Sequence, residues 1–192
     1  MSETSGDQTA NDEAAATAGQ QALRQVVDQI EMSAAGIGWD RPPALYALVP
    51  TARLLEQDDL PADVAQSLRT DWDESDAHLS AIAQETVSEG TLEEMLPRIE
   101  WPDSVEGAAL TLERIVLPEG AQDEAPTDPE EAAAYAEAHP ARSDIRVTVG
   151  VNRRGDSWCE VRSRQFDSRD SVGRGENLVP ALVEALRMGF AD

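Results

Sequence analysis

The pattern of apolar and polar positions divides the first third of the chain into a polar tail and a helix. Residues 1–13 (MSETSGDQTANDE) contain no aromatic or branched apolar residue, which predicts a disordered acidic tail. The apolar residues that follow recur at three- and four-residue intervals: Leu23, Val26, Val27, Ile30 and Ala34. This spacing predicts an amphipathic helix over residues 14–32 that ends near Gly36.

Shorter helices are predicted from capping and stop signals farther along the chain. Pro61 opens a predicted helix over residues 61–70, and Thr91 with Glu94 forms a capping box for a short helix ending before Trp101-Pro102. Asp128 and Pro129 begin another helix, which Pro140 ends. The last helix is predicted from residue 177. Residues 45–56 and 79–86 fit a strand or a helix equally well.

The C-terminal half shows the two-residue period of a sheet. Residues 145–151 alternate, with Ile145, Val147 and Val149 on one face and Thr148 on the other. Residues 152–156 supply a turn and residues 157–164 alternate again, which predicts an antiparallel hairpin. Residues 107–117 predict a further strand, and residues 166–175 a polar loop. We therefore expect a single α+β domain over residues 14–192, with helices packed on an antiparallel sheet.

Composition limits the chemistry that the chain can perform. The formal net charge is -23 at pH 7, and all 15 basic residues are arginines. Without lysine, Schiff-base chemistry, pyridoxal-phosphate attachment and a Walker-type phosphate lysine are excluded. The acidic surplus opposes binding to nucleic acids and to anionic membrane surfaces. No run of about 18 apolar residues predicts a membrane span, so a cytoplasmic protein is expected.

Arginine is concentrated in one segment, and two interpretations of it stay open. Residues 141–175 carry 8 arginines and 5 acids, against an acidic remainder. One interpretation places these arginines on a solvent-exposed strand face, opposite Asp and Glu side chains. The other is an anion site that uses the loop Arg169–Gly175 before the last helix. The candidate residues of that site are Arg162, Arg164, Arg169 and Arg174.

The remaining candidates for chemistry have simpler structural explanations. His139 falls at the end of a predicted helix, where an imidazolium is stabilised by the helix dipole, and His78 is expected to be exposed. Cys159 alternates with polar residues in a strand, which is typical of a small buried hydrophobic side chain. Trp39 and Trp101 lie next to prolines and are expected to anchor the core. We predict no catalytic residue, metal ligand or cofactor-binding residue.

Four sequence blocks resemble a family of uncharacterised actinobacterial proteins over residues 20–190. They are WDxPPxLYALVxTA at 39–52, WPxxVxG at 101–107, HP at 139–140 and LVPxLV at 178–183, with Glu113-Arg114 between the second and third. The resemblance implies a cytoplasmic α+β protein of unknown function, with no catalytic residues to transfer. It also implies a fold similar to the small sheet-and-helix proteins that include secretion chaperones, which usually dimerise.

Three functional hypotheses follow. The first is a non-enzymatic partner-binding or structural protein, expected to be a homodimer that uses a sheet face or the closing helix. The alternative is a small-molecule or anion-binding protein, or an enzyme of unrecognised type, that uses the loop Arg169–Gly175. The third, nucleic-acid binding through the arginine hairpin, is disfavoured by the net charge of -23.

Overall fold

One antiparallel sheet organises the protein. The computed structural model describes residues 4–84 and 95–190, and within them six strands pair in the order β2-β1-β3-β4-β5-β6. The strands are β1 (Ala44–Pro50), β2 (Leu79–Ala83), β3 (Gly107–Val116), β4 (Ser143–Asn152), β5 (Ser157–Ser163) and β6 (Gly173–Gly175). The predicted α+β fold with helices on an antiparallel sheet is confirmed.

Five helices accompany the sheet in the described part of the chain. They are α1 (Thr4–Ile37), α2 (Thr51–Leu55), α3 (Ala62–Asp71), α4 (Pro129–Ala138) and α5 (Pro180–Met188), with short 3-10 turns at Leu96–Arg98 and Arg169–Ser171. Asp128 caps α4 as predicted, because its side chain accepts hydrogen bonds from the backbone N–H groups of Glu130 and Glu131. Crossing a bilayer would require a longer apolar helix than any found among these residues.

The sheet has a helix on each face, and the two faces differ in chemistry. On one face, α5 packs Leu182, Val183 and Leu186 against an apolar surface of the central strands that includes Leu110 and Val149. On the other face, α1 covers the sheet with an apolar stripe of Ala22, Leu23, Val26, Val27 and Ile30. Strand alternation places the charged residues of β4 and β5 on this second face, beneath α1.

Gly150 allows α1 to approach the sheet closely. This residue of β4 lies under α1, and a Cβ atom built on it would lie 2.5 Å from Val27 Cγ2 and 3.1 Å from Leu23 Cδ1. Both neighbours belong to the buried stripe of the helix, so neither can move aside without opening the core. Glycine is therefore required at the point where helix and strand are closest.

Three segments differ from their predicted structure or resolve an open choice. Residues 45–56 form a strand followed by a helix, β1 and α2, so both assignments were partly right. Residues 79–83 form β2. The predicted capping box, Thr91 and Glu94, lies outside the described residues, and the described part of that predicted helix contains a 3-10 turn at Leu96–Arg98. The predicted loop at 166–175 is wrong in part, because residues 173–175 pair with β5 as the edge strand β6.

Helix α1 begins ten residues before its predicted start. The helical assignment runs from Thr4, although residues 1–13 were expected to be a tail. A helix satisfies its own backbone hydrogen bonds, so polar residues can extend it without a buried partner. Among the side chains described from Thr17 onward, burial begins at Ala22. That residues 1–13 lie outside the packed domain stays a prediction.

Candidate functional site

The arginines of the predicted anion site lie at the interface between α1 and the sheet. Arg162 points from β5 toward α1 and is 5% exposed, whereas Arg164, Arg169 and Arg174 lie at the margin of the helix and are more exposed. The expectation of a solvent-exposed strand face was wrong for Arg162 and for Arg146, which is 2% exposed. The alternation itself was right, but α1 covers that face.

The centre of this interface is a buried ion pair between β5 and α1. Arg162 Nε donates to Glu31 Oε1 at 2.5 Å and Arg162 Nη2 donates to Glu31 Oε2 at 2.9 Å, so the pair is bidentate. The side chains are 6% and 1% exposed. Arg162 Nη1 also donates to Asp167 Oδ1 at 3.1 Å. A forked guanidinium matched to a carboxylate fixes the rotation of α1 over the sheet.

A second group of contacts holds the connector after α1. The guanidinium of Arg146 lies 4.4 Å from the centre of the Trp39 ring and donates to Glu113 Oε1 at 2.9 Å. Asp40 has a φ of 64° and accepts two hydrogen bonds from Arg164, at 2.8 and 2.7 Å. The backbone N–H of Asp40 donates to Glu113 Oε2 at 2.8 Å. The WD dipeptide thus attaches the chain to β3, to β4 and to the residue that follows β5.

A third group lies at the β6 edge of the sheet. Asp28 on α1 accepts from Arg169 at 3.0 Å and from Arg174 at 3.5 Å. Arg174 Nε also donates to Glu160 Oε1 at 3.2 Å, and Glu160 is 1% exposed. The other carboxylate oxygen of Glu160, Oε2, is buried and has no hydrogen-bond partner among the described residues.

The surroundings of these carboxylates shift their pKa values in opposite directions. Burial raises the pKa of Glu160, and the positive charge of Arg174 offsets only part of that effect. The pKa of Asp167 is lowered, first by the indole N–H of Trp39, which donates to it at 2.8 Å, and then by Arg162. The hydrogen bonds from Arg164 lower the pKa of Asp40. Asp167 and Asp40 are thus favoured in their ionised form, whereas burial disfavours the charged form of Glu160.

The arrangement neutralises the four candidate arginines rather than leaving them available. Each lies within 3.2 Å of a carboxylate oxygen: Arg162 at Glu31, Arg164 at Asp40, Arg169 at Asp28 and Arg174 at Glu160. An added anion would have to displace a carboxylate that is already in place. The anion site at Arg169–Gly175 stays a prediction, and these contacts give it no support.

The histidines and the cysteine have structural surroundings. His78 was expected to be exposed, which was wrong, because it is 7% exposed and its Nδ1 lies 2.7 Å from Thr51 Oγ1. His139 ends α4 as predicted and contacts the Tyr135 ring edge to face. Cys159 is fully buried, and burial raises the pKa of its thiol. No group of three or more His, Cys, Asp or Glu side chains in the described ranges could hold a metal ion.

The partners of the arginines were not predicted from the sequence. Asp28, Glu31 and Asp40 lie more than 120 residues from the arginines that they bind. One signal was present: Glu31 follows Val27 by four residues and precedes Ala34 by three, which places it on the apolar stripe of α1. A carboxylate on a buried stripe requires a buried cation, and the alternating strand β5 supplies one.

The available contact surface of the sheet is an edge rather than a face. Leu110 and Val149 on the α5 side and Thr148 on the α1 side are fully buried, so the central sheet faces predicted as a contact surface are covered. Of the two edges, β6 has three residues and its Arg174 is ion-paired. The other edge, β2 (LSAIA), has five residues, no charge and no proline.

Hydrogen bonds beside β2 show which of its backbone groups face outward. The Thr51 N–H donates to the His78 carbonyl at 2.9 Å, and the Gln84 N–H donates to the Leu45 carbonyl at 2.8 Å. His78 and Gln84 thus belong to hydrogen-bonded pairs with β1 and the residue that follows it. Hydrogen-bonded and non-hydrogen-bonded pairs alternate along an antiparallel ladder, so the even-numbered residues direct their backbone N–H and C=O groups toward β1. Leu79, Ala81 and Ala83 therefore turn their backbone groups away, and no described residue pairs with that side of β2.

The fold and its interface define a single-domain α+β protein in which an arginine–carboxylate layer attaches one long helix to an antiparallel sheet. The chain belongs to the family of PPA1309-like proteins, whose model matches residues 23–191. This match confirms the predicted membership of an uncharacterised family, and it covers almost the whole chain. An actinobacterial source stays a prediction. Neither the curated proteins nor the solved structures include a significant match.

Proposed function

We propose that this protein is a non-enzymatic partner-binding protein of the cytoplasm, and that its partner is a second copy of the same chain. The two copies pair through the outer edge of β2. The observation that carries the proposal is the outward-facing backbone of Leu79, Ala81 and Ala83, on an edge without charge or proline. Unprotected edges of this kind pair with other strands, whereas most natural edges are blocked.

The sequence of β2 fits pairing with itself. A two-fold axis through Ala81 places that residue opposite its own counterpart and Leu79 opposite Ala83 of the second copy, in antiparallel register. The side chains at the outer end of the strand are small, so two edges can approach to the normal strand spacing. Ile82, which is 39% exposed, would be covered on the side of the sheet that faces away from α1.

The strength of the dimer follows from its size and charge. Five residues of strand pairing with few side chains bury less surface than a standard interface, so we expect a dissociation constant in roughly the micromolar range. Each copy carries a net charge of -23, so long-range repulsion opposes association. Raising the salt concentration from about 10 mM to about 0.15 M shortens the screening length from ~30 to ~8 Å, which should strengthen the dimer.

Sedimentation velocity over a concentration series tests this proposal. In Ala81→Glu and in Ala81→Lys, like charges meet at the two-fold axis, so both variants should be monomeric where the wild type is dimeric. The two changes alter net charge in opposite directions, which separates a local effect from a global one. Ala133→Glu, at an exposed residue of α4, is the control and should behave as the wild type.

Two results would overturn the proposal. One is a wild-type protein that stays monomeric up to about 1 mM, since even a weak interface of this size associates below that concentration. The other is dimerisation of both Ala81 variants with the wild-type affinity, which would place the interface elsewhere. The melting temperature of each variant should match the wild type, because Ala81 is exposed.

A further inference from the structure

A small cleft lies where α1 ends and the connector turns into β1. Its volume is about 170 Å³, and it is separate from the β2 edge. Ala34 and Ile37 of α1 line one wall, and the connector residues Pro42 and Pro43 line another. Tyr46 adds to a mainly apolar lining. Small-molecule sites have this composition, with a few polar groups in an apolar enclosure.

The polar group of this cleft is a buried arginine with an unused donor. Arg146 lines the cleft, and its side chain is 2% exposed. Its Nη2 donates to the Gly38 carbonyl and to Glu113 Oε1, whereas Nη1 is buried with no hydrogen-bond partner among the described residues. A buried donor without an acceptor costs about 1–3 kcal/mol, and more when it is charged. A ligand acceptor in the cleft would remove that cost.

A second cation lies at the rim of the cleft. Arg41 lines it, is exposed, and makes no hydrogen bond or ion pair in the described structure. Among the described lining residues, Arg41 and Arg146 outweigh the single acid Glu113, so the lining carries a net charge of opposite sign to the protein. The cleft can therefore attract an anionic group even though the chain as a whole repels one.

We propose that this cleft binds a small monocarboxylate with an apolar body. The carboxylate accepts a hydrogen bond from Arg146 Nη1 and interacts with Arg41, and the apolar body contacts Ala34, Ile37 and Tyr46. Nη1 is screened from water before binding, so the groups that cover it must move for the ligand to reach it. A free small acid is favoured over a peptide terminus because of the volume.

The size of the cleft selects the probe. An apolar cavity of about 150 Å³ holds one benzene ring, so a volume of about 170 Å³ suits an aromatic ring with a carboxylate at its open end. Benzoate is therefore the probe, and benzyl alcohol is the matched neutral compound. Amide chemical shifts of Thr111 and Glu113, which border the cleft, report binding at this place and not elsewhere on the surface.

Three variants test the assignment by NMR titration. Arg41→Gln should weaken benzoate binding up to about fivefold, as expected for an exposed charge. The control Arg69→Gln, at an exposed arginine of α3 that has no partner among the described residues, should leave binding unchanged. Ala34→Leu places three added carbon atoms in the cleft and should abolish binding. Arg146→Gln should also abolish it, and the Ala34 variant keeps the test valid if Arg146→Gln does not fold.

The proposal is overturned by any of three outcomes. Benzoate that causes no shift at Thr111 or Glu113 up to about 50 mM shows that the cleft does not bind a carboxylate with useful affinity. Equal binding of benzoate and benzyl alcohol shows that the arginines do not recognise charge. Undiminished binding in Ala34→Leu shows that the ligand lies elsewhere. None of these results depends on pairing through β2.

Discussion

The buried ion pair between Arg162 and Glu31 should control how firmly α1 is held on the sheet. We consider Arg162→Met, Glu31→Leu and the double variant. Methionine and leucine replace the charged side chains with shorter apolar ones, so each single variant leaves one buried charge without its main partner. The double variant leaves neither of these two charges in the interior.

The structure fixes the order of the expected effects. In Arg162→Met, the Glu31 carboxylate is 1% exposed and has lost its cation, so the free energy of unfolding should fall by ~3–5 kcal/mol. In Glu31→Leu, Arg162 keeps Asp167 at 3.1 Å, and the loss should be about 1–3 kcal/mol. The double variant should recover most of the Arg162→Met loss, because an apolar pair under α1 carries no desolvation penalty.

Urea unfolding followed by circular dichroism measures these differences, with the slope m checked for constancy. Arg69→Gln is the control and should change stability by no more than ~0.5 kcal/mol. The three variants complete a double-mutant cycle that gives the coupling energy of the pair. A loss below about 1 kcal/mol in Arg162→Met, or a double variant whose loss equals the sum of the single losses, would refute a buried ion pair at this position.

Two further predictions concern the covered sheet face and the tail. Thr148→Asp should lower the free energy of unfolding in urea by ~3 kcal/mol or more, because Thr148 is fully buried and its register partner on β5 is the acidic Glu160. Thr148→Val should lower it by about 1 kcal/mol, and equal effects of the two variants would contradict the register. Removal of residues 1–13 should leave the melting temperature unchanged in calorimetry, because burial along the described side chains of α1 begins at Ala22. A drop of several degrees would show that these residues pack against the domain.

Local patterns were enough to predict most of the elements of the fold. The alternation at 145–151 gave β4 its correct faces, and Val149 is fully buried as expected. The Asp128-Pro129 signal gave the start of α4, and the spacing of Leu23, Val27 and Ile30 gave the buried stripe of α1. These signals depend on neighbours in sequence, and the physics of caps and periodicity acts over the same short range.

The covered face and its ion pairs could not be predicted in the same way. Alternation shows which residues share a face of β5, but not whether a helix lies over that face. Arg162 is paired with a residue 131 positions away, and no local pattern links the two. The edge position of β2 also follows from the strand order, which places β1 between β2 and β3. These features belong to the packing of distant segments.

The distribution of charge connects the interior of the protein with its proposed association. Arginines of β4–β6 and the segments beside them are directed at carboxylates of α1 and its connector, so much of the positive charge is used at the helix–sheet interface. The acidic surplus of the chain therefore lies outside this interface, where salt screens it, while the buried pair is screened far less. The strand β2 itself carries no charge. In the proposed dimer, repulsion between the acidic surfaces of two copies disfavours other approaches, so charge favours the orientation in which they meet at β2 and the strand backbone supplies the attraction.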